Sequence, residues 1–169
     1  MIFKKIEAAD VENADQLFRT CMADLLAREG FNDNILFEEE VRRLNNAVTE
    51  SFKESENRFY LALQENQLIG TIALQTPGNM LKSMVDVKPG QYEVACVYVH
   101  PSYQRQGAGD FLFQNAIKQL NSLGKTTFYL DAGFSSSQLY WLKKLGEPSL
   151  LLEDYWGTGK HHLVWIKSI

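Results

Sequence analysis

The stretch EVACVYVHPSYQRQGAGDFLFQNAIKQL, Glu93 to Leu120, reads in turn as a strand, a proline-ended turn, a glycine-bearing loop and a helix. Val94 to Val99 is apolar and β-rich, and Pro101 stops the strand because it has no N–H to give to a ladder. Phe111, Leu112, Ala116, Ile117 and Leu120 then recur at helical spacing, which predicts a helix that opens just after Gly107 and Gly109. The first turn of a helix leaves backbone N–H groups without intrahelical partners, and its dipole favours negative charge there. Two glycines at that point let an anion approach the main chain, so the loop reads as an anion cradle.

Around that segment, 169 residues with 45% hydrophobic and 22% charged content predict one globular domain over 1–169 with a sizeable core. A formal net charge of -4, from 17 basic and 21 acidic residues, supplies no basic stripe, so nucleic acid is excluded as the expected partner. No apolar run approaches a membrane span, and MIFKKIEAAD carries acidic residues where a signal peptide places its apolar stretch; a cytoplasmic protein that engages no membrane is expected. Cys21 and Cys96 fall on a helix face and inside a strand, and they read as reduced core residues.

Phe3 to Ile6 predicts a first strand, followed by a helix whose apolar face runs from Val11 to Leu26 and which closes at Gly30. Phe37, Val41, Leu44, Val48 and Phe52 predict a second helix, with Glu38 to Glu40 as its acidic start and a solvated face. Arg58 to Gln64 and Leu68 to Gln75 read as an antiparallel hairpin turning at Glu65 to Gln67. A loop from Pro77 to Gly90, long enough to be mobile or functional, leads to the strand Gln91 to Val99. Beyond the central helix, Thr126 to Leu130 predicts a strand. Ser135 to Ser137 offers N-caps to a helix ending at Leu145, and Ser149 to Leu152 with His162 to Ile166 makes a last strand pair. The predicted order is β-α-α-β-β-β-α-β-α-β-β, with no internal repeat.

Gln104, two residues, Gly107, one residue and Gly109 reproduce the R/Q-x-x-G-x-G/A signature, in the strand, turn and helix context that such a motif needs. The chain thereby resembles the GNAT superfamily of N-acetyltransferases, and its element order is similar over nearly the whole length. A dinucleotide fingerprint would require glycine where Leu112 stands, and a P-loop requires Gly-Lys-Ser/Thr, which does not occur. The structural alternative is a helix start built from small residues for packing. The resemblance implies an α/β (α+β) fold with a mixed, mostly antiparallel central sheet flanked by helices. It implies acetyl-CoA as cosubstrate and no metal. It also implies that the pyrophosphate lies on Gln104, Arg105, Gln106, Gly107, Ala108, Gly109 and Asp110, with the pantetheine arm running back along Val97, Tyr98 and Val99.

Acetyl transfer needs a held thioester, a neutral amine, a stabilised oxyanion and an outlet for the thiolate. Glu93 lies eleven residues before Gln104, where many members of the family carry a catalytic glutamate, and the resemblance makes it the expected base. Its bland alternative is a solvent-facing glutamate at a strand edge. An N–H near Val97 is the expected oxyanion donor. The family's usual acid, a tyrosine four residues before a glycine, is replaced here by Leu142 before Gly146, which leaves Tyr140 as the candidate. Asp110 reads as an early helix residue facing water, and Arg105 as either a phosphate partner or a loop charge.

On the acceptor side, the resemblance points to Glu153 to Trp165 and to a wall from Arg28 to Leu36. Tyr155 and Trp156 can line the pocket, or with Trp165 serve packing, and Asp131 can meet a cationic amine or cap a turn. His161 and His162 are adjacent on a strand and point to opposite faces, which argues against one shared metal ion. The expected function is transfer of an acetyl group to a primary amine of a small molecule, amino acid or peptide. The alternatives are an acyltransferase for longer acyl chains and a CoA-binding sensor or interaction module with weak or no catalysis. The sequence leaves the oligomeric state open, with a homodimer through the last strands or exposed aromatics as one compatible arrangement.

Overall fold

The computed structural model describes residues 1–53 and 56–169. They form two compact units, 1–75 with 94–119 and 76–93 with 120–169.

In the first unit, β1 (Ile2–Lys5), α1 (Val11–Arg28), α2 (Asn34–Glu50), β2 (Arg58–Gln64) and β3 (Gln67–Gln75) precede residues 94–99 of β4 (Tyr92–Val99) and residues 108–119 of α4 (Ala108–Ser122). The strands run in the order β1-β2-β3-β4, with β1, β2 and β3 antiparallel. The β2–β3 hairpin turns on Glu65 (φ 50) and Asn66 (φ 65), a two-residue connection with both φ values positive, as its right-handed strand twist favours. One face of α1, from Leu17 and Phe18 through Met22 to Leu26, is buried, and Phe18 lies edge-on to Phe59 at 6.0 Å and to Tyr98 at 6.4 Å. Burying a ring of this size contributes about 2–3 kcal/mol.

α2 begins earlier than its apolar spacing predicts. The Asp33 carboxylate accepts from the Ile35 and Leu36 N–H groups at 2.9 and 3.0 Å, a cap of about 1 kcal/mol that adds a turn ahead of Phe37. Glu38 to Glu40 therefore lie past the first turn, where Glu38 pairs with Arg19 and Glu40 with Arg43. Phe52 falls beyond the helix and is exposed.

In the second unit, β5 (Thr127–Ala132), α5 (Ser135–Leu145), β6 (Leu150–Leu152) and β7 (His162–Ser168) extend the sheet in the order β4-β5-β7-β6. β4 pairs with β5 in parallel, Tyr92 opposite Phe128 and Glu93 opposite Tyr129, while β7 is antiparallel to both β5 and β6. The whole is a seven-stranded, mostly antiparallel sheet flanked by helices.

Two expectations are corrected here. The segment after β3 is no loop: it folds into α3 (Asn79–Met84), whose Leu81 packs with Tyr129 and Val164. Six residues are too few to display a helical period, so nothing in the pattern announces this turn. The segment is also tied down, because the Tyr129 hydroxyl accepts from the Lys88 N–H at 3.3 Å and donates to the Asp86 carbonyl at 3.4 Å. Second, α5 is not capped by a serine side chain. Phe134 occupies the cap, and the Ser137 hydroxyl donates to its carbonyl at 2.8 Å. No helix among the described residues is long and apolar enough to cross a membrane.

Candidate active site

In the first unit the main chain of β4 breaks stride at Cys96, which holds φ 52 within the strand. A residue in that region turns its carbonyl out of the ladder, and a buried carbonyl needs another donor. Thr71 of β3 supplies it: its hydroxyl, 0% exposed, donates to the Cys96 carbonyl at 2.9 Å. Gly70, the preceding residue, is forced by contact. A Cβ there would stand 2.8 Å from the Tyr98 carbonyl and 2.9 Å from Leu112 of α4, so its absence lets α4 close on β3 and β4. The Tyr98 phenol is raised above its ordinary range by burial, with the Arg43 guanidinium opposing, and it stays neutral.

After β4, a 3₁₀ turn at Pro101–Tyr103 leads into the cradle. The Tyr103 hydroxyl donates to Gln67 at 2.7 Å, the Gln106 amide to the Ser102 carbonyl at 2.8 Å, and the Gln104 amide to the Val99 carbonyl at 3.1 Å. The Gln104 side chain therefore braces the loop against the strand end. Arg105 and Gly107 both carry positive φ, 60 and 86, and a Cβ built on Gly107 meets nothing within 4 Å. The first intrahelical bond of α4 runs from Phe111 N–H to the Gly107 carbonyl at 2.9 Å, so the ladder does not use the amides ahead of it. Arg105, Gln106, Gly107 and Asp110 are exposed, whereas Ala108 is buried under the first turn. The structure thus brings Val97, Tyr98, Val99 and Gln104 to Asp110 together as one strand end and one helix start.

The second unit holds the other predicted residues. Glu93 is 7% exposed, which overturns the solvent-facing reading, and its carboxylate accepts from the Gly78 N–H at 3.0 Å. The strand registers place Glu93, Tyr129, Asp131, Val164 and His162 on one face of the sheet, since paired residues and residues two apart share a face. Asp131 sits within β5 with its Oδ2 3.5 Å from His162 Nε2. The Trp156 indole donates to His162 Nδ1 at 3.1 Å, and the Tyr155 ring lies edge-on to Trp156 with centroids 4.8 Å apart. Asp131, Tyr155 and Trp156 are therefore gathered around one imidazole.

Trp165 separates from that group. It is fully buried and its indole donates to the Gly146 carbonyl at 2.9 Å, a packing role. Tyr140 is half-buried against Trp141, with ring centroids 4.7 Å apart, while Leu142 gives its carbonyl to the Gly146 N–H that caps α5. His161 reaches outward to Asp154, away from His162, and no group of His, Cys, Asp and Glu among the described residues could hold a metal ion.

Sequence reasoning missed Thr71 and the organising position of His162. A threonine in an apolar strand carries no signal of its own, but the His162 and Trp156 spacing around a turn could have suggested a hydrogen-bonded pair.

These features match a known family. The model of the acetyltransferase (GNAT) family matches residues 17–146, and the chain belongs to that family. It is thus a GNAT-family acetyltransferase. Among solved structures it is similar to the PaiA N-acetyltransferase from Thermoplasma acidophilum in complex with coenzyme A, with 20% identity, a TM-score of 0.73, and 99% of this chain and 98% of that one covered. It is also similar to aminoglycoside 6'-acetyltransferase type Ii, with 18% identity, a TM-score of 0.71, and coverage of 99% and 97%. A third, the ribosomal-protein-alanine N-acetyltransferase from Brucella melitensis, has 15% identity, a TM-score of 0.67 and full coverage of both chains. At these identities the likeness is one of fold. No curated protein matches the chain by sequence.

Proposed function

We propose that this chain moves the acetyl group of acetyl-CoA to a primary amine of a small molecule, amino acid or peptide by direct attack. The observation that carries the reading is the cradle: an open Gly107 at the start of α4, following a strand that carries a positive φ at Cys96. The pyrophosphate lies on Gln104 to Asp110, with the Arg105 guanidinium beside it, and the pantetheine arm hydrogen-bonds along Val97, Tyr98 and Val99. The six residues from Val99 back to Glu93 span about 20 Å at roughly 3.3 Å each, the scale of an extended pantetheine arm.

An amine with a pKa near 10 arrives protonated, and Glu93 takes its proton. The amine nitrogen attacks the thioester carbon, the Val97 N–H steadies the oxyanion, and the carbon–sulfur bond breaks. We assign Tyr140 to proton donation to the departing thiolate; with a thiol pKa of about 8.5, the thiolate also leaves unaided. Asp131, Tyr155 and Trp156 form the acceptor side. The reaction takes place in a cytoplasmic acetyltransferase domain and calls on no metal.

The test is thiol release from acetyl-CoA in the presence of a panel of amines, amino acids and peptides with free N-termini. A subset should accelerate release, and Glu93→Gln should reduce turnover at least about a hundredfold, the usual scale for a general base, with coenzyme affinity unchanged. Tight coenzyme binding with no acceptor from the panel would support a CoA-binding sensor instead.

A further inference from the structure

The chemistry of the acceptor site turns on a residue that the proposed reaction does not use. His162 is 2% exposed, and its two nitrogens face different partners. Nδ1 receives the Trp156 indole N–H at 3.1 Å, and indole nitrogen can only donate, so Nδ1 must be unprotonated. The ring proton then resides on Nε2, a buried atom that makes no hydrogen bond to any described residue and that lies 3.5 Å from Asp131 Oδ2. Gly133 permits this packing, since a Cβ there would stand 3.1 Å from the Trp156 indole nitrogen and 3.3 Å from His162 Nδ1. A neutral imidazole beside a carboxylate leaves its charge uncancelled, whereas an imidazolium would neutralise it. The Asp131 side chain is 19% exposed on one side of the ring, and Trp156, on the other, is 51% exposed.

We infer that His162 is a positioning residue that the Trp156 indole holds as the neutral Nε2–H tautomer, so that Asp131 remains an anionic subsite for a second positive charge on the acceptor. This rests on the acetyltransferase reading and deepens it. The nitrogen that attacks the thioester must be neutral, so its own charge is gone when transfer occurs. What Asp131 holds at that moment is a different cationic group. Glu93 stands on the same sheet face, paired through Tyr129 one strand over from Asp131, so one carboxylate is available to deprotonate and one to anchor. The acceptor class is therefore a diamine or a basic amino compound rather than a simple monoamine.

Two measurements decide this. Nitrogen-15 spectra of the histidine side chains at neutral pH, with His162 assigned by its loss in His162→Gln, should show Nδ1 unprotonated and Nε2 carrying the proton. The opposite tautomer or an imidazolium overturns the inference. In kinetics, 1,6-diaminohexane should exceed hexylamine in kcat/KM by at least about tenfold. Asp131→Asn and His162→Phe should collapse that ratio to within about twofold of unity by raising KM for the diamine, leaving KM for acetyl-CoA unchanged. His162→Gln, which keeps a donor toward Asp131 and an acceptor for the indole, should restore most of the ratio. Glu93→Gln should lower both amines alike. A ratio near unity in the wild type, or one untouched by Asp131→Asn, contradicts the inference. If no amine is acetylated, the catalytic reading fails separately, and calorimetry of diamine against monoamine on the coenzyme-loaded protein judges the subsite by the same tenfold difference.

Discussion

Replacing Thr71 with valine removes one hydroxyl from a fully buried site and nothing else of consequence in volume. In the native chain that hydroxyl donates to the Cys96 carbonyl at 2.9 Å. Its loss strands a buried acceptor, which costs about 1–3 kcal/mol, while an added buried methyl returns about 0.8 kcal/mol. The net destabilisation is about 0.2–2 kcal/mol, and for a chain of this size each kcal/mol lowers Tm by about 2–4 °C. Catalysis should suffer more than that figure implies. Cys96 holds φ 52, a conformation that costs about 1–3 kcal/mol and persists only where its surroundings enforce it. Freed of Thr71, the strand can relax, and the next N–H, that of Val97, which is the proposed oxyanion donor, loses its aim. A misdirection worth about 1.4 kcal/mol is a tenfold fall in kcat. Thermal unfolding and thiol release measure the two effects, with Thr71→Ser as the control that keeps the hydroxyl. Equal kcat for the valine and serine variants would refute the link between the Cys96 conformation and catalysis.

Gly70→Ala should destabilise the fold by about 1–3 kcal/mol and impair coenzyme binding, because the new methyl meets the Tyr98 carbonyl at 2.8 Å and displaces α4; a circular-dichroism melt with a coenzyme titration reads both. Cys21, buried on α1, has its thiol pushed from 9.0 up to about 12 by burial, so it should resist alkylation at pH 8 until the protein unfolds. The same shift gives a sign for stability: between about pH 9 and 12 the unfolded chain loses this proton and the folded chain keeps it. Stability should therefore fall with rising pH, by at most about 1.4 kcal/mol per unit, and Cys21→Ala should flatten that slope in urea titrations. Tyr129→Phe removes the contacts to Asp86 and Lys88 and should speed hydrogen exchange and proteolysis across 85–90, with little change in global melting.

Patterns that repeat were legible in the sequence, and contacts between distant residues were not. The apolar face of α1, the β2–β3 hairpin and the strand, turn and helix around Gly107 all follow from periods of 3.6 or 2 and from turn chemistry. The start of α2 was displaced by Asp33, because a cap with two amide bonds overrides the place where apolar spacing begins. α3 escaped notice since one and a half turns carry no period. At the site, spacing drew attention to the glycine cradle and the family resemblance to Glu93, but the hydrogen bond that Glu93 accepts comes from Gly78, fifteen residues away in sequence. Thr71 and His162 act through partners on other strands or across a turn, and a single sequence does not record which residues will be neighbours.

The most direct test is a backbone amide NMR titration with coenzyme A. The expected result is that the largest shifts fall on Gln104 to Asp110, with a second set on Val97 to Val99, and that they saturate together. Shifts absent at millimolar coenzyme, or largest away from the start of α4, would contradict the proposal that these amides hold the pyrophosphate.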